Sequence, residues 1–118
     1  MASVVALVED LFFQAKLQET ARHVGVEIML VTTGDALVAE AARLSPSLLI
    51  VDLNARQGPL EALERLRAAG NQLPVIAFLS HVQVELAERA RAAGCRQVLP
   101  RSQFTQNLAA ILAQAKGS

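Results

Sequence analysis

Five short apolar runs constrain the fold of this chain more than any other feature of its sequence. They span Val4–Val8, Glu27–Val31, Leu48–Leu53, Pro74–Leu79 and Gln97–Leu99, and their starts are about two dozen residues apart. Three of them, VVALV, LLIVDL and PVIAFL, are continuously apolar rather than alternating. Such runs are typical of strands that are covered on both faces. The segments between the runs have apolar residues at helical spacing, so the sequence predicts strands that alternate with helices.

This alternation predicts right-handed crossovers and a parallel sheet with helices on both faces. Five units in 118 residues fit an open, flavodoxin-like (βα)5 fold with strand order 2-1-3-4-5, and are too few for an eight-unit barrel. We expect one α/β domain over residues 1–118, because no linker-like stretch interrupts the chain. The last helix is expected to run from Phe104 to Ala115.

Composition excludes several classes of partner and location. Eleven basic and eleven acidic residues leave no net charge, so there is no bulk attraction for nucleic acid. No apolar run approaches the roughly 20 residues that cross a bilayer. The N-terminus has no visible secretory signal, and a single cysteine cannot form an internal disulfide. We therefore expect a cytoplasmic protein that binds neither nucleic acid nor membrane.

Acidic residues follow two neighbouring strands of the predicted sheet. In such sheets the functional residues gather at the carboxyl ends of the strands, beside the switch point between strands 1 and 3. Glu9 and Asp10 follow strand 1, and Asp52 ends strand 3. Three converging carboxylates repel one another, and Mg²⁺ with oxygen ligands would offset that repulsion. The alternative is that Glu9 and Asp10 cap the first helix while Asp52 is a polar strand end.

At this point the sequence resembles the CheY-like receiver domains of two-component response regulators. The resemblance runs from Val4 to about Leu112, and its motifs are VVALVEDLFF, LLIVDLN, LPVIAFLSH and AAGCRQVLPRSQF. It implies that Asp52 accepts a phosphoryl group in a phosphorelay from a histidine kinase or phosphotransfer protein. It also implies a Mg²⁺ site formed by Asp10, Asp52 and the backbone carbonyl of Asn54, with Glu9 acting through a water.

Three departures from the family pattern indicate an atypical receiver or pseudo-receiver. Arg101 stands in the lysine position, and a planar guanidinium is no substitute for a compact ammonium at a tight site. Leu79 stands where the switch hydroxyl is expected, and Ser80 follows it. Neighbouring strand residues face opposite sides, so Ser80 replaces that hydroxyl only if the strand end bends. Val98 stands in the position of the switch aromatic.

Two further features have open interpretations. Arg56, in the loop after strand 3, either folds over the acids as a substitute cation or is a solvated arginine. Ser80 and His81 either bind a phosphoryl oxygen or cap the following helix. The resemblance implies a partner or homodimer surface on helix 4, strand 5 and helix 5, where we expect Val84 and Phe104 to be exposed.

The leading hypothesis is a stand-alone receiver-like signalling domain that acts by protein–protein interaction. A phosphorylation-independent structural or assembly domain is one alternative. A small-molecule enzyme on the same fold is another, although the chain lacks Trp and Tyr to hold a flavin and has acids where a phosphate-binding loop is needed. We therefore expect no enzymatic activity.

Overall fold

Strands and helices alternate along the chain, as the apolar runs predict. The computed structural model describes residues 3–80 and 83–116. Its strands are β1 (Val4–Leu7), β2 (Ile28–Val31), β3 (Leu48–Asp52), β4 (Val75–Leu79) and β5 (Gln97–Pro100). Its helices are α1 (Leu11–Val24), α2 (Gly34–Leu44), α3 (Pro59–Ala68), α4 (Val84–Ala92), α5 (Arg101–Gln106) and α6 (Leu108–Lys116).

The strands form one parallel sheet in the order β2-β1-β3-β4-β5, which confirms the predicted flavodoxin-like topology. Its register aligns the strand ends. Leu7 of β1 pairs with Val51 of β3, so the acids after β1 lie beside Asp52 at the next position of β3. Asp52 in turn pairs with Phe78, one residue before the end of β4. The residues that follow these strands therefore meet at one edge of the sheet.

Each face of the sheet has its own apolar core, which explains why the strands are continuously apolar. Alternate strand residues such as Val5 and Val51 pack against α2, α3 and α4. Their neighbours, such as Ala6, Ile50 and Phe78, pack against α1, α5 and α6. Both faces of β1, β3 and β4 are fully buried. In the described ranges, no helix combines the length and the apolar character that crossing a membrane requires.

The C-terminal helix differs from the expected single span over Phe104–Ala115. Helix begins three residues earlier, directly after Pro100, whose ψ of 146° is extended. Asn107, with φ −105° and ψ 13°, separates α5 from α6. Its N–H donates to the carbonyls of Gln103 and Phe104, and Ile111 N–H donates to its carbonyl. Hydrogen bonding thus continues across this one-residue interruption.

Candidate functional site

An open depression lies at the carboxyl ends of β1, β3, β4 and β5. Its lining residues are Glu9, Asp10, Asp52, Asn54, Arg56, Ser80 and Arg101. The structure therefore brings these seven residues together, each of which was singled out from the sequence, and they come from four separate loops or strand ends. The parallel register is the reason, because it places the residues after each strand at the same edge of the sheet.

Asp52 lies at the base of this depression and is only 6% exposed. Among residues 3–80 and 83–116 it is the only charged side chain that is buried. Its Oδ1 accepts a hydrogen bond from the backbone N–H of Asn54 at 2.9 Å. Burial raises the pKa of Asp52 above its ordinary value, although that hydrogen bond and the charge of Arg101 act in the opposite direction. The surroundings of Asp52 therefore disfavour its ionised form relative to the same group in water.

Asp10 and Glu9 both bind backbone N–H groups. Asp10 is the N-cap of α1, and its Oδ1 accepts from the N–H groups of Phe12 at 2.9 Å and Phe13 at 3.3 Å. Glu9 Oε1 accepts from the N–H of Arg56 at 2.7 Å, which joins the loop after β1 to the loop after β3. The helix-cap alternative therefore describes Asp10 correctly, and Glu9 holds the neighbouring loop.

Arg101, the first residue of α5, lies between two of the acids. Its Nη1 is 3.6 Å from Asp10 Oδ2, and its Nη2 is 3.5 Å from Asp52 Oδ2. These distances are ion pairs rather than hydrogen bonds. The guanidinium carbon also lies 4.7 Å from the ring centroid of Phe13 and 5.5 Å from that of Phe78, which is cation–π range. One planar cation thus bridges the carboxylates above an aromatic surface.

The two rings below Arg101, Phe13 and Phe78, pack against a third ring, that of Phe104, which was expected to be exposed. The ring of Phe104 lies 4.5 Å from that of Phe78, nearly parallel to it, and 5.9 Å from that of Phe13. Phe104 is fully buried, so its expected place in an exposed partner surface is wrong. Because α5 begins directly at the end of β5, its first turn points Phe104 toward the sheet and into the core. Phe13 and Phe78 were not among the site residues expected from the sequence; the phenylalanine pair that closely follows Asp10 was the available signal for Phe13.

Ser80 reaches the edge of the depression through Asn54 rather than through Asp52. Its backbone N–H and its hydroxyl both donate to Asn54 Oδ1, at 2.6 Å and 3.0 Å. Asn54 Nδ2 donates in turn to Gln83 Oε1 at 2.8 Å. Leu79, in the switch position, is buried in the apolar core. His81, the other residue proposed to bind a phosphoryl oxygen or to cap the following helix, lies outside the described residues.

Arg56 contributes its backbone to the site, while its side chain is exposed. The solvated interpretation therefore fits Arg56. A substitute cation does stand beside the acids, but the residue is Arg101. The family resemblance had placed Arg101 at the site, whereas the role of Arg56 stayed open because spacing locates a strand end without giving the direction of its side chains.

The arrangement of these donors does not fit the Mg²⁺ ion that the resemblance implies. Mg²⁺ needs oxygen ligands in near-octahedral geometry at about 2.0–2.1 Å. Oδ1 of Asp10 and Oδ1 of Asp52 accept backbone hydrogen bonds, and the remaining Oδ2 atoms both face Arg101. Over the described parts of the chain, no three acidic, histidine or cysteine side chains converge closely enough to hold a metal.

A shallow groove lies between α4 and β5, on the surface expected to bind a partner. Its lining is mainly apolar and consists of Leu79, Gln83, Val84, Ala87, Arg91, Val98, Leu99 and Pro100. Val84 is 61% exposed and stands at the start of α4. Val98, which stands in the position where the resemblance implies an aromatic ring, lines the side of the groove formed by β5.

Comparison with solved structures identifies the fold. The Francisella response regulator 1452 receiver domain superposes with a TM-score of 0.84 at 14% identity, covering 98% of each chain. The chemotaxis response regulator CheY4 of Vibrio cholerae gives 0.82 at 19% identity, again covering 98% of each chain. The receiver domain of NtrX from Brucella abortus gives 0.80 at 18%, covering 98% of this chain and 99% of that one. No family model and no curated protein sequence matches. The structure therefore confirms the resemblance seen in the motifs: this chain has the fold of response-regulator receiver domains.

Proposed function

We propose that this chain is an atypical receiver-like signalling domain that acts by binding a protein partner and catalyses no reaction of its own. The observation that carries the proposal is the position of Arg101, which pairs with Asp10 and Asp52 in a domain with the receiver fold. Arg101 thus already compensates the charge of Asp52, the candidate phospho-acceptor, and of the neighbouring Asp10. We place the domain in the cytoplasm, without nucleic-acid or membrane binding.

The residues at the ends of β4 and β5 support the proposal that this receiver-like domain is atypical. A receiver would couple a hydroxyl at the end of β4 to an aromatic ring on β5. Here the position at the end of β4 is the buried Leu79, and the position on β5 is Val98. The hydroxyl of Ser80, the residue that follows Leu79, donates to Asn54. Neither half of the hydroxyl–ring pair is present, so a phosphoryl group on Asp52 has no such pair to reposition.

A second version keeps Asp52 as a phosphoryl acceptor. Its support is that Asp52 lines the open depression together with Glu9, Asn54 and Ser80. In that version a histidine kinase or phosphotransfer protein donates the phosphoryl group, with Mg²⁺ among the acids. It requires Arg101 to move out of the space between Asp10 and Asp52.

Intact-protein mass spectrometry separates the two versions. We would incubate the wild type and Asp52→Asn with acetyl phosphate and Mg²⁺, with a phosphorylatable receiver domain as positive control. The proposal expects no phosphoryl adduct on the folded wild type while the control is modified. An adduct on the wild type that is absent from Asp52→Asn would establish the second version.

The partner surface is tested at Val84, because Phe104 is buried. We expect Val84→Glu to abolish partner capture in pull-downs, since a carboxylate would be placed at the apolar groove beside Val98. Gln18→Glu is the matched control, because it adds the same charge to an exposed position on α1. Sedimentation of both variants tests whether the partner is a second copy of the chain. Equal capture by both variants would place the interface elsewhere.

A further inference from the structure

The carboxylate oxygens at the site are almost fully used by the protein itself. One oxygen of Asp10 accepts from two N–H groups at the start of α1, and one oxygen of Asp52 accepts from Asn54 N–H. Glu9 directs an oxygen to the N–H of Arg56. The second oxygens of Asp10 and Asp52 both face the same guanidinium. A cation would naturally bind between these two oxygens, and Arg101 already lies there.

The position of Arg101 is fixed by more than the acids. Its side chain is only 34% exposed, and its guanidinium lies over the rings of Phe13 and Phe78. Those rings are held in turn by Phe104 in the buried core. The planar guanidinium directs its two Nη groups to different carboxylates, Nη1 to Asp10 and Nη2 to Asp52. The arginine is therefore built into the site rather than loosely associated with it.

We propose that Arg101 is the resident counter-ion of the Asp10–Asp52 pair and takes the place of the divalent metal, so that the protein does not take up Mg²⁺ at this site. A divalent ion placed between the two carboxylates would meet the guanidinium at close range, where like charges repel strongly. It would also find one oxygen of each acid already bound to backbone N–H groups. This inference deepens the proposed function and rests on it for the identity of the site.

The inference is tested by titrating Mg²⁺ and Mn²⁺ into the intact chain at constant ionic strength. Binding is followed by melting temperature and by the paramagnetic resonance signal of free Mn²⁺. The wild type is expected to show no saturable response at millimolar metal. Arg101→Gln, which frees both Oδ2 atoms, is expected to bind the metal with roughly tenfold or greater gain in affinity. Adding Asp52→Asn to that variant should remove the gain.

Arg56→Gln is the matched control, because it removes the same charge from the same depression without touching the acid pair. Arg101→Lys is the second variant, in case Arg101→Gln does not fold, and is expected to bind Mn²⁺ more tightly than the wild type. Saturable, Asp52-dependent binding by the wild type would overturn the inference. An equal gain in Arg56→Gln, or no gain in a folded Arg101 variant, would overturn it as well. Partner capture is a separate readout, so failure here leaves the proposed signalling role to be judged by its own experiments.

Discussion

Ser80 donates two hydrogen bonds to the side-chain oxygen of Asn54, one from its backbone N–H at 2.6 Å and one from its hydroxyl at 3.0 Å. The same Asn54 side chain donates to Gln83, the residue before α4. One amide therefore connects the loop after β3 to the end of β4 and the start of α4. Ser80, at the end of β4 where a switch hydroxyl would lie, is therefore hydrogen-bonded to the loop after β3.

This connection predicts unequal effects for two alanine substitutions. Asn54→Ala removes the acceptor for both Ser80 donors and the donor to Gln83, so we expect it to lower the free energy of unfolding by about 1–2 kcal/mol. Ser80→Ala removes one exposed hydroxyl and keeps the backbone bond, so the loss should be about 0.5 kcal/mol or less. Urea unfolding measures both values. Equal losses would contradict the dominance of the Asn54 side chain.

Phe104 is predicted to be a core residue whose truncation is costly. Phe104→Ala should lower the free energy of unfolding by about 3–5 kcal/mol, because it removes a fully buried ring stacked on Phe78. Phe12→Ala is the control, since Phe12 is 90% exposed and its loss should cost about 0.5 kcal/mol or less. Denaturant unfolding compares the two variants. A small effect at Phe104 would mean that its ring does not pack in the core.

The raised pKa of Asp52 predicts how the free energy of unfolding changes with pH. Burial raises the pKa of Asp52 in the folded state above its ordinary 3.8, so the folded protein holds that proton more tightly than the unfolded chain. The contribution of Asp52 to stability is therefore fully present below pH 3.8 and is lost as pH rises through the raised pKa. Asp52→Asn should be more stable than the wild type at pH 7, and this advantage should shrink on acidification.

Thermal unfolding across that pH range provides the measurement for Asp52. Asp35→Asn is its control, because Asp35 is an exposed carboxylate paired with Arg65 at 2.6 Å. Losing that surface pair should lower stability by up to about 1 kcal/mol, a change of opposite sign. A lower melting temperature for Asp52→Asn at neutral pH would show that the pairing with Arg101 outweighs the cost of burial.

Replacing Gly34, the first residue of α2, by alanine is expected to destabilise the protein, contrary to what helix propensity alone would suggest. Propensity alone would make Gly34→Ala stabilising by up to about 1 kcal/mol. A methyl group at this position would collide with the carbonyl oxygen of Gly58 and lie 3.1 Å from Cβ of Ala62. We therefore expect a loss of about 1–3 kcal/mol, measured by urea unfolding. A stabilised variant would mean that the starts of α2 and α3 separate easily.

The strands were predictable because their apolar runs are continuous and evenly spaced, and each observed end lies within one residue of its expected position. The N-cap of α2 has an equally local sequence signal, because Thr33 stands just before Asp35 and the periodic apolar residues of the helix. In the structure its hydroxyl accepts from Ala36 N–H. Such signals are local. A short segment carries them whether or not the rest of the chain is in place.

The burial of Phe104 and the direction of the Arg101 side chain could not be predicted from the sequence, and the reason is the same for both. Which side of α5 meets the sheet depends on where the chain leaves β5, and the helix began three residues before its expected start. The direction of Arg101 depends on Phe13, which is 88 residues away in sequence and becomes a neighbour only after folding. Periodicity within one segment contains neither piece of information.

The aromatic surface beneath Arg101 also gives the protein an intrinsic optical reporter. The chain has no tryptophan and no tyrosine, so its near-ultraviolet circular dichroism comes from four phenylalanines. Three of them form one ring cluster, in which Phe13 and Phe78 lie under the guanidinium of Arg101. The fourth, Phe12, is exposed, so we expect it to contribute little to the signal. The sharp phenylalanine bands of this molecule therefore report on the packing directly below Arg101, without any label.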